Sequence, residues 1–221
     1  QINITNSHIS YNGGGGVVVR AGQVRNLQIG SCDIEGNMDE NGPVTANVFI
    51  DVTEGSMREG AITGCTIQHN GDAPESANIR FVGHGTEDRR KAGNFTIADN
   101  VLSDVQHNLH IQYSRGMIIT GNTFWKGYSH NIFIQQSNHI NLGPNILDKN
   151  PDYHPTHGNN NVVFHECINL TIHGLHINHT LGGPAGIVLE QCRNYNLTNS
   201  TLLNCEGGGI LLKETENGKV S

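Results

Sequence analysis

Side chains able to move a proton or to hydrogen-bond a sugar recur between residues 107 and 190: His107, His110, Gln112, Tyr128, His130, Gln135, His165, Glu166 and Glu190. Imidazole and phenol groups exchange protons near neutral pH when their surroundings tune them. Elimination from a uronate polymer needs a base for the C5 proton and a group that neutralises the carboxylate. Hydrolysis of a glycosidic bond needs two carboxyls flanking it. The His and Tyr set suits the first. The pairs Glu166 with Glu190 and Asp148 with Asp152 keep the second open. His165 is the foremost proton-transfer candidate, with Glu190 placed to hydrogen-bond its imidazole, and His110 and Tyr128 complete the catalytic group. Gln112, Gln135, Phe133, His130 and Arg80 form the candidate substrate-binding set of amides, rings and a cation.

These residues can meet only if the chain brings segments far apart in sequence side by side, and an internal repeat does so. An Asn or Gly followed by apolar, any, apolar opens at Gly16, Asn47, Asn78, Asn108, Asn131, Asn161, Gly186 and Gly209, at steps of 23 to 31 residues. Between these lies a second pattern, two apolar residues two apart with a third five residues later: Phe95/Ile97/Leu102, Met117/Ile119/Phe124 and Ile140/Leu142/Leu147 are three of its eight occurrences. A period of two marks a strand with one buried face. Each repeat therefore holds three short strands, A, B and C. A strand burying two or three side chains is not stable alone. Stacking repeats about 4.8 Å apart puts like on like and pairs each backbone group with the next coil. The expected fold is all-β, a right-handed parallel β-helix solenoid of about eight coils of three short strands. It forms a single domain over 1–221, read as a segment of a longer β-helix without its caps.

The turns fit this register. Asn100, Asn122 and Asn145 occupy the bend between B and C, where Asn tolerates a left-handed backbone and can bond along a ladder. Cys32 and Cys65 share that column, and Ser114, Ser137, Cys167 and Cys192 share the bend after A. The paired cysteines could be disulfides, but stacked buried thiols acting as small apolar residues are the favoured reading. In strand A, one outward column runs Arg80, His110, Phe133, Val163, Val188 and the next Val82, Gln112, Gln135, His165, Glu190, Lys213. Donors and acceptors repeated at the coil spacing suit a saccharide chain.

With its three-strand coils and Asn-bearing turns, nearly the whole chain resembles the right-handed parallel β-helix proteins of the pectin lyase-like superfamily. That resemblance implies an extracytoplasmic protein that is secreted, periplasmic or at the cell surface. Its partner would be a polysaccharide, cleaved across strand A by a lyase or, next, a glycoside hydrolase. The superfamily also holds non-catalytic members, so an adhesin, a tailspike-like shaft or a carbohydrate-binding module is the alternative, because a fold does not choose a function.

Composition narrows the partners. A formal net charge of -7 argues against nucleic acid held by a broad basic face. No apolar run approaches the roughly 18 residues of a membrane span. Self-association is left open. No cofactor is required, although Asp39, Glu40, Asp72 and Glu75 in the loops before strand A could take calcium. His154 and His157 lack a third ligand for zinc. The loop 148–157 should overhang strand A, and the run Arg89, Arg90, Lys91 could meet acidic groups. Five cysteines leave at least one thiol unpaired. Thiol titration of the denatured chain is expected to find most of them free, whereas protection of four would establish two disulfides and an oxidising origin.

Overall fold

The computed structural model describes residues 1–84, 92–148, 151–153 and 158–221. Among these, the strands assemble into one nine-stranded and two eight-stranded sheets, and every ladder between named strands is parallel. Successive strands of the chain fall in different sheets, so three strands and three bends make one coil of a parallel β-helix. The one antiparallel contact is an isolated bridge between Gly14 and Met38. A 3-10 turn, Pro151–Tyr153, is the one described helical element.

The register follows the repeat residue for residue. In sheet A, Val48 pairs with Ile79, Ile79 with Leu109, Leu109 with Ile132, Ile132 with Val162 and Val162 with Ile187. In sheet B, Ile97, Ile119, Leu142, Ile172 and Leu197 form one interior stack, none more than 2% exposed. The ninth strand of sheet B, Glu216–Val220, extends the pattern beyond the eighth coil, with Gly218 under Tyr195 and Val220 beside Leu197. Gly60 in the third coil stands at the same position, where a Cβ would lie 2.3 Å from the Phe95 ring.

Two asparagine ladders tie the coils together. At the B–C bend, Asn100 donates to Asn122 Oδ1 and Asn122 to Asn145 Oδ1, each at 3.0 Å. Each amide nitrogen also reaches a strand carbonyl one coil back, and each Oδ1 accepts a backbone N–H. The second ladder is built from asparagines that open sheet A, Asn47, Asn78, Asn108 and Asn131, with Asn37 of the loop before them at its end, linked at 2.7 to 3.0 Å. All five cysteines are free thiols. Cys167 and Cys192 donate to carbonyls of their own and the preceding coil, the role of small polar residues in that column.

Asn122→Leu keeps the side chain's bulk but strips partners from buried groups on both neighbouring coils. A loss of about 1–3 kcal/mol per orphaned group is expected in urea unfolding. Leu142→Asp should abolish the cooperative transition, because an unpaired charge in a dry core costs several kcal/mol. Wild-type midpoints for both would contradict the register.

Candidate active site on sheet A

Three adjacent strands, Ala77–Val82, Val105–Gln112 and Gly127–Gln135, carry the densest polar group of the molecule's outer surface. Their register sets Arg80 beside His110 and His110 beside Phe133, and places Ala77, His107 and His130 in a second row. The first row was expected to be an outward, solvated column. It does point away from the core, yet Arg80 is 6% and His110 5% exposed. The loop before strand Ala77–Val82 folds over them, and its Glu75 carbonyl accepts a hydrogen bond from Arg80 Nη2. Neighbouring rings cover the rest: Phe133 lies against His110 at 5.1 Å and His130 at 4.9 Å between centroids.

Protonation in the first row follows from hydrogen-bond chemistry. Arg80 Nη1 lies 2.6 Å from His110 Nδ1, and a guanidinium has only donors, so Nδ1 carries the lone pair and Nε2 the proton. The structure sets the amide nitrogens of Gln112 and Gln135 3.0 and 3.2 Å from Nε2, which would put donor against donor, so oxygen and nitrogen of each amide are exchanged. Their oxygens must therefore turn toward the imidazole and their NH2 groups toward solvent. Burial, then the Arg80 charge, hold His110 neutral and push its pKa down to about 2. Arg80 itself is lowered by burial and supported by Glu75.

The second row is a relay. His107 Nε2 lies 3.2 Å from Glu75 Oε2, and His107 Nδ1 lies 3.2 Å from His130 Nδ1. A carboxylate only accepts, so His107 gives it the Nε2 proton and receives the Nδ1 proton of His130. His130 Nε2 is thereby left as a lone pair, with no hydrogen-bond partner among the described residues. Burial lowers the pKa of His107, and burial followed by the His107 charge brings His130 to about 4. Both rings are neutral at physiological pH.

The four residues expected to be catalytic do not gather at one point. His165 follows Gln135 in register, but its Nε2 meets Gln191 Oε1 at 3.2 Å and Glu166 Oε1 at 3.4 Å. Glu190, expected on His165, instead pairs with Lys213 at 2.5 Å, which holds its carboxyl below the usual range. The next coil's ammonium is a stronger partner than a neutral imidazole. Tyr128 turns to the C–A bend and donates to Asp104 Oδ1 at 3.2 Å. Arg80, expected on substrate, is buried, with its guanidinium on His110 Nδ1 and the Glu75 carbonyl. Glu75 and His107 complete the site; His107 was visible in the polar strip, while Glu75 sits in a loop that the column pattern does not index. Of the loop acids, Asp39 Oδ1 accepts the Asn41 N–H and Glu75 Oε2 lies 3.2 Å from His107 Nε2. The run at 89–91, the histidines at 154 and 157 and most of the loop 148–157, expected to overhang strand A, lie outside the described residues.

Fold and site define a parallel β-helix protein with a neutral histidine cluster on one outer sheet. The chain belongs to the NosD family, described as periplasmic copper-binding protein, whose model matches residues 34–221. A periplasmic location agrees with the extracytoplasmic one expected. Copper, however, does not fit the residues of the cluster. The Nδ1 atoms of His107 and His130 share a hydrogen bond at 3.2 Å, His107 Nε2 faces Glu75, and both His110 nitrogens have side-chain partners, so few imidazole lone pairs are left for a metal. The three methionines and four of the five cysteines, groups that favour copper(I), are buried and at most 5% exposed, and Cys205 is half-buried on strand C, on a different sheet from the cluster. Among the described residues only His8, Asp33 and Glu35 bring three ligand atoms within 4.8 Å, and two are carboxylates, on the outside of the first two coils. No curated protein matches the chain. Among solved structures, a Parabacteroides merdae protein designated a candidate glycosyl hydrolase aligns at 10% identity and a TM-score of 0.46, over 75% of this chain and 83% of its own. HetL, a pentapeptide repeat protein of Nostoc involved in heterocyst differentiation regulation, aligns at 10% identity and a TM-score of 0.23, over 96% and 88%. Likeness at that level carries no function.

The histidines ionise lower in the fold than in an unfolded chain, where imidazole titrates near 6.5. Below that pH the unfolded state binds more protons, so stability falls as pH drops. Between pH 7 and 5, before most carboxylates titrate, the unfolding free energy should decline, approaching about 1 kcal/mol per pH unit for each neutral histidine at the acid end. His110→Gln should flatten that slope. A pH-independent urea midpoint over this range would show the rings to be solvated.

Proposed function

We propose that this chain is a periplasmic carbohydrate-active protein that lays a uronate-containing polysaccharide across sheet A and cleaves it by β-elimination. The observation that carries this reading is the Glu75–His107–His130 relay, which ends in an unprotonated Nε2. Such a nitrogen can take the C5 proton; the electrons of that C–H bond form the C4–C5 double bond, and the C4–O bond breaks. The leaving oxygen then takes the proton back from the imidazolium, whose charge the Glu75 carboxylate stabilises through His107. The outward NH2 groups of Gln112 and Gln135 can bind the uronate carboxylate while it carries extra charge. Phe133 offers a ring to a sugar face.

A non-catalytic β-helix that binds glycans is the second reading, favoured by the dispersal of His165, Tyr128 and His110 over separate contacts. Incubation with a panel of polysaccharides, followed by both unsaturated-product absorbance and reducing ends, separates the two. On the elimination reading, both signals rise together. His130→Gln lowers kcat by about 10²–10⁴-fold, the range of a general base, with melting unchanged. Glu75→Gln gives a smaller loss, and His165→Ala retains turnover. Loss of turnover in His165→Ala alone would transfer the base to that residue. Reducing ends without unsaturation would mean hydrolysis, and no cleavage of any glycan would leave the binding reading.

A further inference from the structure

At the C–A bends of the third to fifth coils lies a cleft of about 490 Å³, lined by Gln68, His69, Asp104, Trp125, Lys126 and Tyr128 with the backbone of Gly71. It is separate from the histidine relay. Gln106 and Ser129 stand between them, joined side chain to side chain at 2.8 Å, with Gln106 Nε2 bound to the Gly71 carbonyl at 2.7 Å. Its volume is that of a small-molecule site.

The polar centre is Asp104. Its Oδ1 accepts from Tyr128 Oη at 3.2 Å and pairs with Lys126 Nζ at 3.1 Å, and its Oδ2 lies 3.8 Å from His69 Nδ1. The Asp104 and Lys126 side chains are 16% and 19% exposed. Withdrawing such a pair from water is costly, so its burial in the wall of a hollow is not explained by stability alone. The wall is also built to shape. The Tyr128 ring packs against Gly71, where a Cβ would sit 2.4 Å from the ring, so a larger residue would push the phenol out of place. Lys126 Nζ stands 5.3 Å from the Trp125 ring centroid. Burial and the Asp104 charge raise the Tyr128 pKa to about 12, which keeps its hydroxyl a donor at any physiological pH.

We infer that this cleft is a binding site for an uncharged pyranose unit of a glycan. A carboxylate flanked by an ammonium and a hydroxyl matches vicinal sugar hydroxyls, which both donate and accept. The indole and phenol supply apolar walls for the C–H face of the ring. The charge selects against acids: Asp72 and Asp104 outnumber Lys126, so a uronate or a phosphate would enter against a net negative wall. The site needs no cleavage by the histidine relay and stands or falls independently of it.

Trp125 is the only tryptophan of the chain, so its fluorescence reports occupancy directly. The full chain is titrated with hexamers of glucose (β-1,4 and α-1,4), mannose and galactose, and with a hexamer of galacturonate, with calorimetry in parallel. At least one neutral hexamer is expected to give a saturable change. Asp104→Asn should weaken it tenfold or more, about 1.4 kcal/mol, and Tyr128→Phe by a smaller factor with the wild-type melting temperature. Three results would overturn the inference: no response to any neutral hexamer, a response to galacturonate alone, or unchanged affinity in a folded Asp104→Asn and in Tyr128→Phe. If Asp104→Asn fails to fold, Tyr128→Phe decides.

Discussion

In a parallel β-helix every backbone hydrogen bond of a strand goes to the coil above or below, so no coil is stable without its neighbours. The stacking must hold one register for the whole length, since a slip of one residue would turn each apolar side chain outward. Here two asparagine ladders enforce it at two of the three corners. Their amides pair with each other and with strand carbonyls, so a shifted coil would orphan several buried polar groups at once. The apolar stacks supply the driving force, and the ladders supply the alignment.

That alignment makes the outer surface of sheet A chemically unusual. Residues 23 to 30 positions apart become neighbours, so polar side chains chosen one per coil are forced into rows. With a loop folded over them, the rows lose water. Arg80 retains its charge by resting on a carbonyl and an imidazole, and the histidines respond by staying neutral. Neutrality leaves a lone pair at His130 Nε2 that a solvated, partly protonated imidazole would offer only part of the time. The same confinement occupies the imidazole nitrogens of His107 and His110 with protein partners, which is why the cluster resembles a proton relay more than a metal cage.

Along the strand, two residues from His130, Tyr128 leaves this group for the C–A bend. There the consecutive coils contribute Asp104 and Lys126 at left-handed backbone positions, φ 59° and 45°. The bend therefore presents an acid and a base on neighbouring rungs, facing a hollow instead of the core. The two sites share a wall through Gln106 and Ser129 but draw on different corners of the coil, one on the face of a sheet and one on the turn that leads into it.

The apolar period, the glycines and the asparagines were enough to write the register of eight coils, because each acts locally and repeats. Ile97 over Ile119 over Leu142 follows from counting alone. The ninth B strand escaped because Gly218 and Val220 are followed by no third member of the pattern in residues 1–221, and Gly218 fits beside Tyr195 as Gly60 does beside Phe95. Which residues share a row was likewise legible, from His110 beside Gln135's coil to His165 beside Glu190. The partner each one takes was not. Glu190 turns to Lys213, His107 to Glu75, and Tyr128 to Asp104, choices set by side-chain reach, by loops of irregular length and by the energy of pairing a charge. A strand's period encodes direction, inward or outward. Burial of an outward residue depends on what folds over it, and only the assembled structure contains that.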